Sequence, residues 1–214
     1  MAKIEPFEKH ETRYEEWFEK NIFAFESELQ AIRYLLPKKG IGVEIGVGTG
    51  RFAVPLAIKI GVEPSKAMRK VAQERDIEVV DGVAEALPFE DCLFDFALMV
   101  TTVCFVDNIT ASFKEALRVI KPGGFFIIGF VDRKSPVGKF YQQIKERSVF
   151  YQIATFYSVD ELIYYLKTTG FQNLTFTQTI FHRLDKITEV EPTEEGYGEG
   201  SFVVVRAKKP SIQQ

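Results

Sequence analysis

The sequence predicts an α/β fold in which a mostly parallel, seven-stranded sheet carries helices on both faces. Short apolar runs alternate with segments of helical periodicity along most of the chain. The central runs are continuously apolar, which is typical of parallel strands buried on both sides. At 214 residues, 46% of them hydrophobic, the chain is long enough for one large domain of this kind.

Seven runs are the predicted strands, and the segments between them supply the helices. The strands are predicted at residues 41–45, 61–63, 77–80, 94–101, 125–131, 174–181 and 202–207. The helices are predicted at residues 11–36, 51–58, 65–75, 108–120 and 158–169. Ser158 and Glu161 form a capping box at the start of the last helix, and Gly170 ends it. Residues 121–124 are a predicted turn, and residues 188–200 a surface loop.

Composition narrows the classes of function. The formal charge is −3 with no run of like charge, which argues against nucleic acid as the partner, because phosphates require a basic face. Residues 1–30 contain no signal-peptide pattern, and no apolar run is long enough for a membrane span. Cys92 and Cys104 are too few for a disulfide framework and wrongly spaced for zinc. We therefore predict no metal site and a cytoplasmic location.

The strongest motif is a glycine-rich loop between the first strand and the next helix. It reads Glu44-Ile-Gly46-Val-Gly48-Thr-Gly50. Glycines allow a sharp turn and the close approach of a ligand, and a helix start offers free N–H donors. A dinucleotide fingerprint starting at Gly46 would place its third glycine where Arg51 stands, which weakens the alternative of a nicotinamide oxidoreductase.

A carboxylate follows the second predicted strand. Glu63, in Gly-Val-Glu63-Pro64-Ser65, lies where an acid can accept hydrogen bonds from the two hydroxyls of a ribose. As an isolated residue it would be an ordinary solvated loop side chain. Its position one helix after the glycine loop favours a role in nucleotide binding.

Taken together, these motifs resemble the class I S-adenosylmethionine-dependent methyltransferases, in particular the small-molecule branch that includes ubiquinone and menaquinone biosynthesis. The resemblance covers residues 40–171 and rests on five motifs in order: the glycine loop, Glu63 with the loop after it, Gly82-Val-Ala-Glu-Ala-Leu-Pro-Phe89, Phe94-Asp-Phe-Ala-Leu98, and Glu115-Ala-Leu-Arg-Val-Ile-Lys-Pro-Gly-Gly124. It implies a Rossmann-like, three-layer α/β/α domain and S-adenosylmethionine as the cofactor.

The resemblance also implies a set of cofactor-binding residues. They are Glu44, Gly46, Gly48 and Gly50 for the methionyl part, Glu63, Pro64, Ser65 and Met68 for the ribose and adenine, and Ala84, Glu85 and Thr101 near the base and the end of the fourth strand. Val83 stands where the family usually has an acid that contacts the adenine. Ala84, Glu85 or Asp81 are the candidates for that contact.

The methyl acceptor is expected to be a small molecule held by residues 1–36, a predicted helical lid, against the methyltransferase domain of residues 37–214. The sequence names no catalytic base; His10 and Tyr14 are the candidates. Five basic residues, Arg133, Lys134, Lys139, Lys145 and Arg147, against Asp132 and Glu146, either favour an anionic acceptor or form a solvated helix face. A protein that binds the cofactor without catalysis, acting through a partner, is the alternative function. The oligomeric state is not predicted.

Overall fold

The computed structural model describes residues 4–211, and one mixed sheet of eight strands runs through this part of the chain. The strands are β1 (Gly42–Ile45), β2 (Ile60–Val62), β3 (Glu78–Val80), β4 (Phe94–Val100), β5 (Ile120–Val131), β6 (Gln172–Thr179), β7 (Glu194–Glu195) and β8 (Phe202–Lys208). Their order across the sheet is β3-β2-β1-β4-β5-β8-β6-β7. The first five are parallel, and β8 pairs antiparallel with both β5 and β6.

Seven α-helices accompany the sheet within residues 4–211. They are α1 (Glu5–Lys9), α2 (Glu11–Lys20), α3 (Ile22–Leu35), α4 (Lys66–Glu74), α5 (Ile109–Val119), α6 (Pro136–Gln143) and α7 (Val159–Thr169). No helix in this range is long and apolar enough to cross a membrane.

Two hydrophobic cores lie on opposite faces of the sheet, as the α/β prediction requires. Alternate strand residues point to opposite faces, so that Leu98 of β4 belongs to one core and Met99 to the other. Ile32 of α3 packs in the first core, while Phe113 of α5 and Leu166 of α7 pack in the second. The predicted fold class is thus confirmed, with β7 raising the strand count from seven to eight.

The segment at residues 51–58 was predicted as a helix, and this prediction is wrong. Residues 51–57 form a series of turns. Pro55 has no N–H to continue a helical ladder, and Ala57 adopts a left-handed conformation with φ of 56°. The stretch is nevertheless well packed, because Phe52, Ala53 and Leu56 are buried in the first core.

The long predicted helix at residues 11–36 is two helices that meet at Asn21. The Asn21 side-chain amide donates a hydrogen bond of 2.8 Å to the carbonyl of Trp17, and its backbone N–H bonds to the same carbonyl. Such local side-chain bonding competes with continuation of the helix. The break lets α3 lie against the sheet while α1 and α2 extend over the carboxyl ends of the strands.

Two further boundaries differ from the sequence prediction. The predicted turn at residues 121–124 lies within β5 and coincides with an irregularity in the pairing of β5 with β4, between Ile120 and Phe125. The predicted loop at residues 188–200 contains β7, which pairs with β6 at Thr177 and Gln178. A strand of two residues is too short to produce an alternating pattern.

The capping box of α7 provides a test of local stability. The Ser158 backbone N–H and hydroxyl both donate to the Glu161 carboxylate, at 2.7 and 2.9 Å, and the hydroxyl accepts from the Glu161 N–H. We expect Ser158→Ala to lower the free energy of unfolding by about 1 kcal/mol, measured by urea denaturation. The exposed Thr168→Ala in the last turn of the same helix is the control, with a change below about 0.5 kcal/mol. Equal effects of the two substitutions would contradict the assigned role of the box.

Candidate active site

The order of the strands places the site at the carboxyl ends of β1 and β4. The chain runs outward from β1 through β2 to β3 and then returns to the other side of β1 as β4. At such a reversal the loops that follow the two central strands diverge and leave a crevice. The glycine loop follows β1 directly and forms one wall of this crevice.

The glycine loop is held by backbone hydrogen bonds and by close packing. The N–H groups of Gly46 and Val47 both donate to the carbonyl of Val62, at 2.8 and 3.0 Å. Gly46 has φ of +73°, and a Cβ there would lie 2.4 Å from a methyl carbon of Thr102. Only glycine meets both requirements, since a side chain would strain the backbone and displace the loop after β4.

Glu63 joins the loops that follow β1 and β2. Its carboxylate accepts from the N–H of Gly48 and from the N–H of Ser65, each at 2.9 Å. Burial raises the pKa of Glu63 to about 7, although these two hydrogen bonds and the nearby Arg69 oppose the increase. The remaining lone pairs of the carboxylate face a cavity and are available to a donor such as a hydroxyl group.

Glu44 lies beneath the glycine loop and is 1% exposed. Its Oε2 atom has no hydrogen-bond partner among residues 4–211, although the backbone of Ala53 donates to the carboxyl group. Burial and the proximity of Glu63 raise the pKa of Glu44 well above its usual value. An unsatisfied buried carboxyl oxygen is unfavourable, so this atom is available to a cationic group or a water molecule.

A cavity of about 100 Å³ opens onto these groups. Eight of the predicted cofactor-binding residues line it: Gly46, Gly48, Glu63, Pro64, Met68, Ala84, Glu85 and Thr101. The other three support the wall from behind. Glu44 is buried below it, Gly50 packs against Ile77, and Ser65 caps α4 by accepting from the Met68 N–H.

The cavity also contains residues that the sequence analysis did not select. They include Ile4, Phe7, Gly82, Val100, Thr102, Phe105, Val106 and Asp107. Val83 lines the cavity, whereas Asp81 is engaged by Arg69 at 2.7 Å. Glu85 accepts from the backbone N–H groups of Asp107 and Asn108, at 2.6 and 3.0 Å. Asp107 thus lines the same cavity as Val83 and Glu85, a placement that only the fold reveals.

A second and larger cavity of about 880 Å³ adjoins the first. Four residues line both cavities: Phe7, Tyr14, Thr101 and Phe105. Aromatic side chains make up much of its wall, among them Trp17, Phe18, Phe52, Tyr141, Phe150, Tyr151 and Phe156. Several aromatic side chains of the first core, Phe18, Phe52, Tyr141 and Phe156, thus also form the wall of this cavity.

The two candidates for a catalytic base occupy different positions. Tyr14 lies where the cavities meet, and burial raises its pKa, with the nearby Glu44 and Glu63 adding to the effect. Its hydroxyl stays protonated and can donate a hydrogen bond, but it is a poor base. His10 is exposed between α1 and α2 and is absent from the walls of both cavities.

Helix α2 is attached to the glycine loop through Glu15. The Glu15 carboxylate binds Arg51 and Arg75, each at 2.5 Å, and accepts from the hydroxyl of Thr49. Although burial opposes it, these hydrogen bonds lower the pKa of Glu15. In addition, Glu8 of α1 accepts from the N–H of Lys66 at the start of α4. The N-terminal helices are thereby connected to both loops of the first cavity.

Comparisons with known proteins agree with this geometry. The family described as "Methyltransferase domain" matches residues 43–128. A crystal structure from Thermotoga maritima, of a "SAM-dependent methyltransferase, possible histamine N-methyltransferase", is 52% identical, covers 95% of this chain and 98% of its own, and superposes with a TM-score of 0.93. An uncharacterized protein of Methanocaldococcus jannaschii is 48% identical over 95% of this chain and 98% of its own length. A demethylmenaquinone methyltransferase of Roseiflexus castenholzii is 37% identical over 41% of each chain.

The chain therefore belongs to the S-adenosylmethionine-dependent methyltransferases. The similarity spans nearly its whole length, so that the resemblance noted in the sequence, the enzyme class and the cofactor are confirmed. These comparisons exclude the alternative class of a nicotinamide oxidoreductase. Arg51, which stood against a dinucleotide fingerprint, is an ion-pair partner of Glu15 in this structure.

Substitution of Glu63 tests whether the first cavity binds the cofactor. We expect Glu63→Ala to weaken binding of S-adenosylhomocysteine by about 1–3 kcal/mol, because it removes a buried charged acceptor. Isothermal calorimetry gives the affinity. The exposed Glu74→Ala at the end of α4 is the matched control and should bind normally.

The pKa of Glu63 makes the same interaction dependent on pH. Hydroxyl donors favour the ionised carboxylate, so affinity should fall as the pH decreases through about 7, where the buried Glu63 becomes protonated. This decrease should be absent in Glu63→Ala. Unchanged affinity in the variant, or an identical pH profile, would remove Glu63 from the binding site.

Proposed function

We propose that this methyltransferase acts on a small molecule held in the aromatic cavity. The observation that carries the proposal is the meeting of the two cavities at Tyr14 and Thr101, with the glycine loop and Glu63 on one side and aromatic rings on the other. A volume of about 880 Å³ is in the range of small-molecule sites. Histamine, which appears in the description of the similar Thermotoga maritima protein, is also a small molecule.

The residues of the first cavity fit S-adenosylmethionine, which carries an ammonium, a carboxylate and a ribose diol but no phosphate. We propose that Glu63 accepts from the ribose hydroxyls and that the loop from Gly46 to Gly50 receives the methionyl carboxylate through backbone N–H groups. The unpartnered Oε2 of Glu44 suits the ammonium group, directly or through water. Met68, buried in the wall, is placed to pack against the adenine.

The chemistry we propose is an in-line displacement. When bound, S-adenosylmethionine supplies a methyl group on a positively charged sulfur. An acceptor lone pair forms the new bond as the carbon–sulfur bond breaks, the electron pair stays on sulfur, and any proton on the attacking atom is lost to solvent. Alignment of the reactants can lower the barrier by roughly 7–11 kcal/mol, so the chain's main task is to hold them in register and exclude water.

We also propose that the N-terminal helices act as a lid. Ile4, Phe7 and Tyr14 cover the first cavity. The polar contacts that attach α1 and α2 to the loops below are chiefly those of Glu15, and ring contacts of Phe7 with Phe105 and of Phe18 with Phe52 add to them. Helix α3, in contrast, packs its buried face on the sheet, so we assign the lid to α1 and α2 within the predicted region of residues 1–36.

The proposal includes two further expectations from the sequence, the cytoplasmic location and the small-molecule acceptor. A cytoplasmic location is consistent with the low number of cysteines. A small-molecule acceptor in place of nucleic acid is consistent with the net charge of −3. We assign no partner protein.

Cofactor binding and turnover test the proposed function. S-adenosylhomocysteine at 100 times its dissociation constant should stabilise the fold by roughly 2.7 kcal/mol, seen as a rise in melting temperature. Methyl transfer from labelled cofactor should then be found in a panel of small amines, phenols and thiols. Cofactor binding without turnover on any small molecule, together with activity on nucleic acid or protein, would refute the small-molecule assignment.

Hydrogen exchange tests the lid. Binding of S-adenosylhomocysteine should slow exchange in α1 and α2 more than in the C-terminal half of α5, which lines neither cavity. Glu15→Gln should speed exchange in α2 because it weakens the attachment to Thr49, Arg51 and Arg75. The exposed Glu16→Gln is the control. Exchange in α1 and α2 that is indifferent to the ligand would show that these helices only cover the sheet.

A further inference from the structure

The aromatic cavity contains one charged side chain that is buried. Glu28 of α3 lines the cavity and is 5% exposed. The other charged residues in the described wall are exposed: Arg13, Lys20, Lys139, Arg183 and Asp185. The interior of the cavity is thus apolar and aromatic except for a single carboxyl group and a few hydroxyls.

No residue within 4–211 forms a hydrogen bond or ion pair with the Glu28 side chain. This separates it from Glu15 and Glu63, whose carboxylates are each satisfied by at least two donors. An unpaired buried carboxyl group destabilises the folded protein, and glutamine or leucine would be less costly on this face of α3. A costly residue of this kind is typical of a position that serves a ligand.

The groups that surround Glu28 in the cavity interior are neutral. Burial raises its pKa to about 8. Three titratable groups interact electrostatically with Glu28: Tyr14 on α2, Tyr141 on α6 and Tyr151. Burial raises the pKa of each of these phenols. All three therefore stay neutral, so nothing in the cavity interior already neutralises an ionised Glu28. Aromatic faces around a carboxylate attract cations, in particular ammonium groups.

Three of the five basic residues near α6, which in the sequence allowed an anionic acceptor, bind other parts of the protein. Arg133 pairs with Glu161 at 3.1 Å, and Lys134 with Asp160 at 2.5 Å. Lys145 donates to the carbonyl of Ala154 at 2.7 Å. These contacts tie the three residues to α7 and to the neighbouring turns, while Lys139 is exposed on the cavity wall. Among the residues that the structure describes, the buried interior of the cavity therefore contains no positively charged side chain.

We propose that Glu28 is the anchor for an acceptor that carries a protonated amine, with the surrounding aromatic rings packing against the ammonium and its hydrocarbon chain. This proposal rests on the proposed function and narrows its substrate class to cationic amines. The methylated atom is then a second, neutral nucleophile of the same molecule, because an ammonium nitrogen has no lone pair to offer. Glu28 acts here as a binding residue and takes no part in bond making.

The test compares three probes of similar size that differ in charge: 2-phenylethylammonium, 2-phenylethanol and 3-phenylpropionate. Their binding to the protein saturated with S-adenosylhomocysteine is measured by calorimetry. The wild type should bind the ammonium at least roughly tenfold more tightly than the alcohol and should bind the carboxylate least. Glu28→Gln should abolish the preference for the ammonium and change the affinity for the alcohol by less than about threefold.

Glu26→Gln is the matched control, because Glu26 is exposed on the same helix two residues away. It should keep the wild-type preference. Affinity for S-adenosylhomocysteine should be equal in all three proteins, which shows that the variants fold. If the wild type does not bind S-adenosylhomocysteine, the proposed function itself is refuted. Failure of the amine proposal alone would leave cofactor binding intact.

Proton release provides a second readout. With a pKa of about 8, Glu28 is mostly protonated at pH 7, and pairing with an ammonium ionises it. Binding of 2-phenylethylammonium should release nearly one proton from the wild type and none from Glu28→Gln, measured by calorimetry in buffers of different ionisation enthalpy. The proposal is overturned if none of the probes binds, if the ammonium has no advantage over the alcohol, or if Glu28→Gln retains that advantage.

Discussion

The two hydrogen bonds that Glu63 accepts from Gly48 and Ser65 are the interaction on which the rest of the site depends. They connect the loop after β1 to the loop after β2, and so they set the relation between the glycine turn and the start of α4. A carboxylate can be buried here because both of its oxygens receive a backbone donor. The same carboxylate forms part of the cavity wall, so the group that holds the loops also presents acceptor sites to the ligand.

The acceptor side of the protein arises from a different constraint. The helix break at Asn21 leaves α3 on the sheet and directs α2 across the strand ends. The space between α2 and α6 is then bounded mainly by rings, because Trp17 of α2, Tyr141 of α6 and Phe156 of the irregular segment before α7 all line it. Large aromatic side chains enclose a wide volume with few residues, which explains how a chain of 214 residues contains both a complete sheet and a large cavity.

Much of the fold and most of the lining of the first cavity could be predicted from the sequence, since both depend on local signals. Continuous apolar runs identified the strands, and the spacing of Gly46, Gly48 and Glu63 identified the cavity. The turns at residues 51–57 were missed because the apolar pattern there outweighed the effect of Pro55. Asp107 and Glu28 carried no local signal at all. An acidic residue on a helix is ordinary in sequence, and only the packing of distant elements shows that Glu28 is buried without a partner.

Because Phe7 and Tyr14 belong to the walls of both cavities, neither cavity has a complete wall of its own. The attachment of α2 through Glu15 connects this shared wall to the glycine loop, where we propose that the cofactor binds. We therefore expect steady-state kinetics of the ordered sequential type, with the cofactor as the leading substrate and its demethylated product as the last to leave. Such an order would protect the reactive sulfonium if, as we propose for the lid, the shared wall closes when the cofactor binds and reopens after methyl transfer.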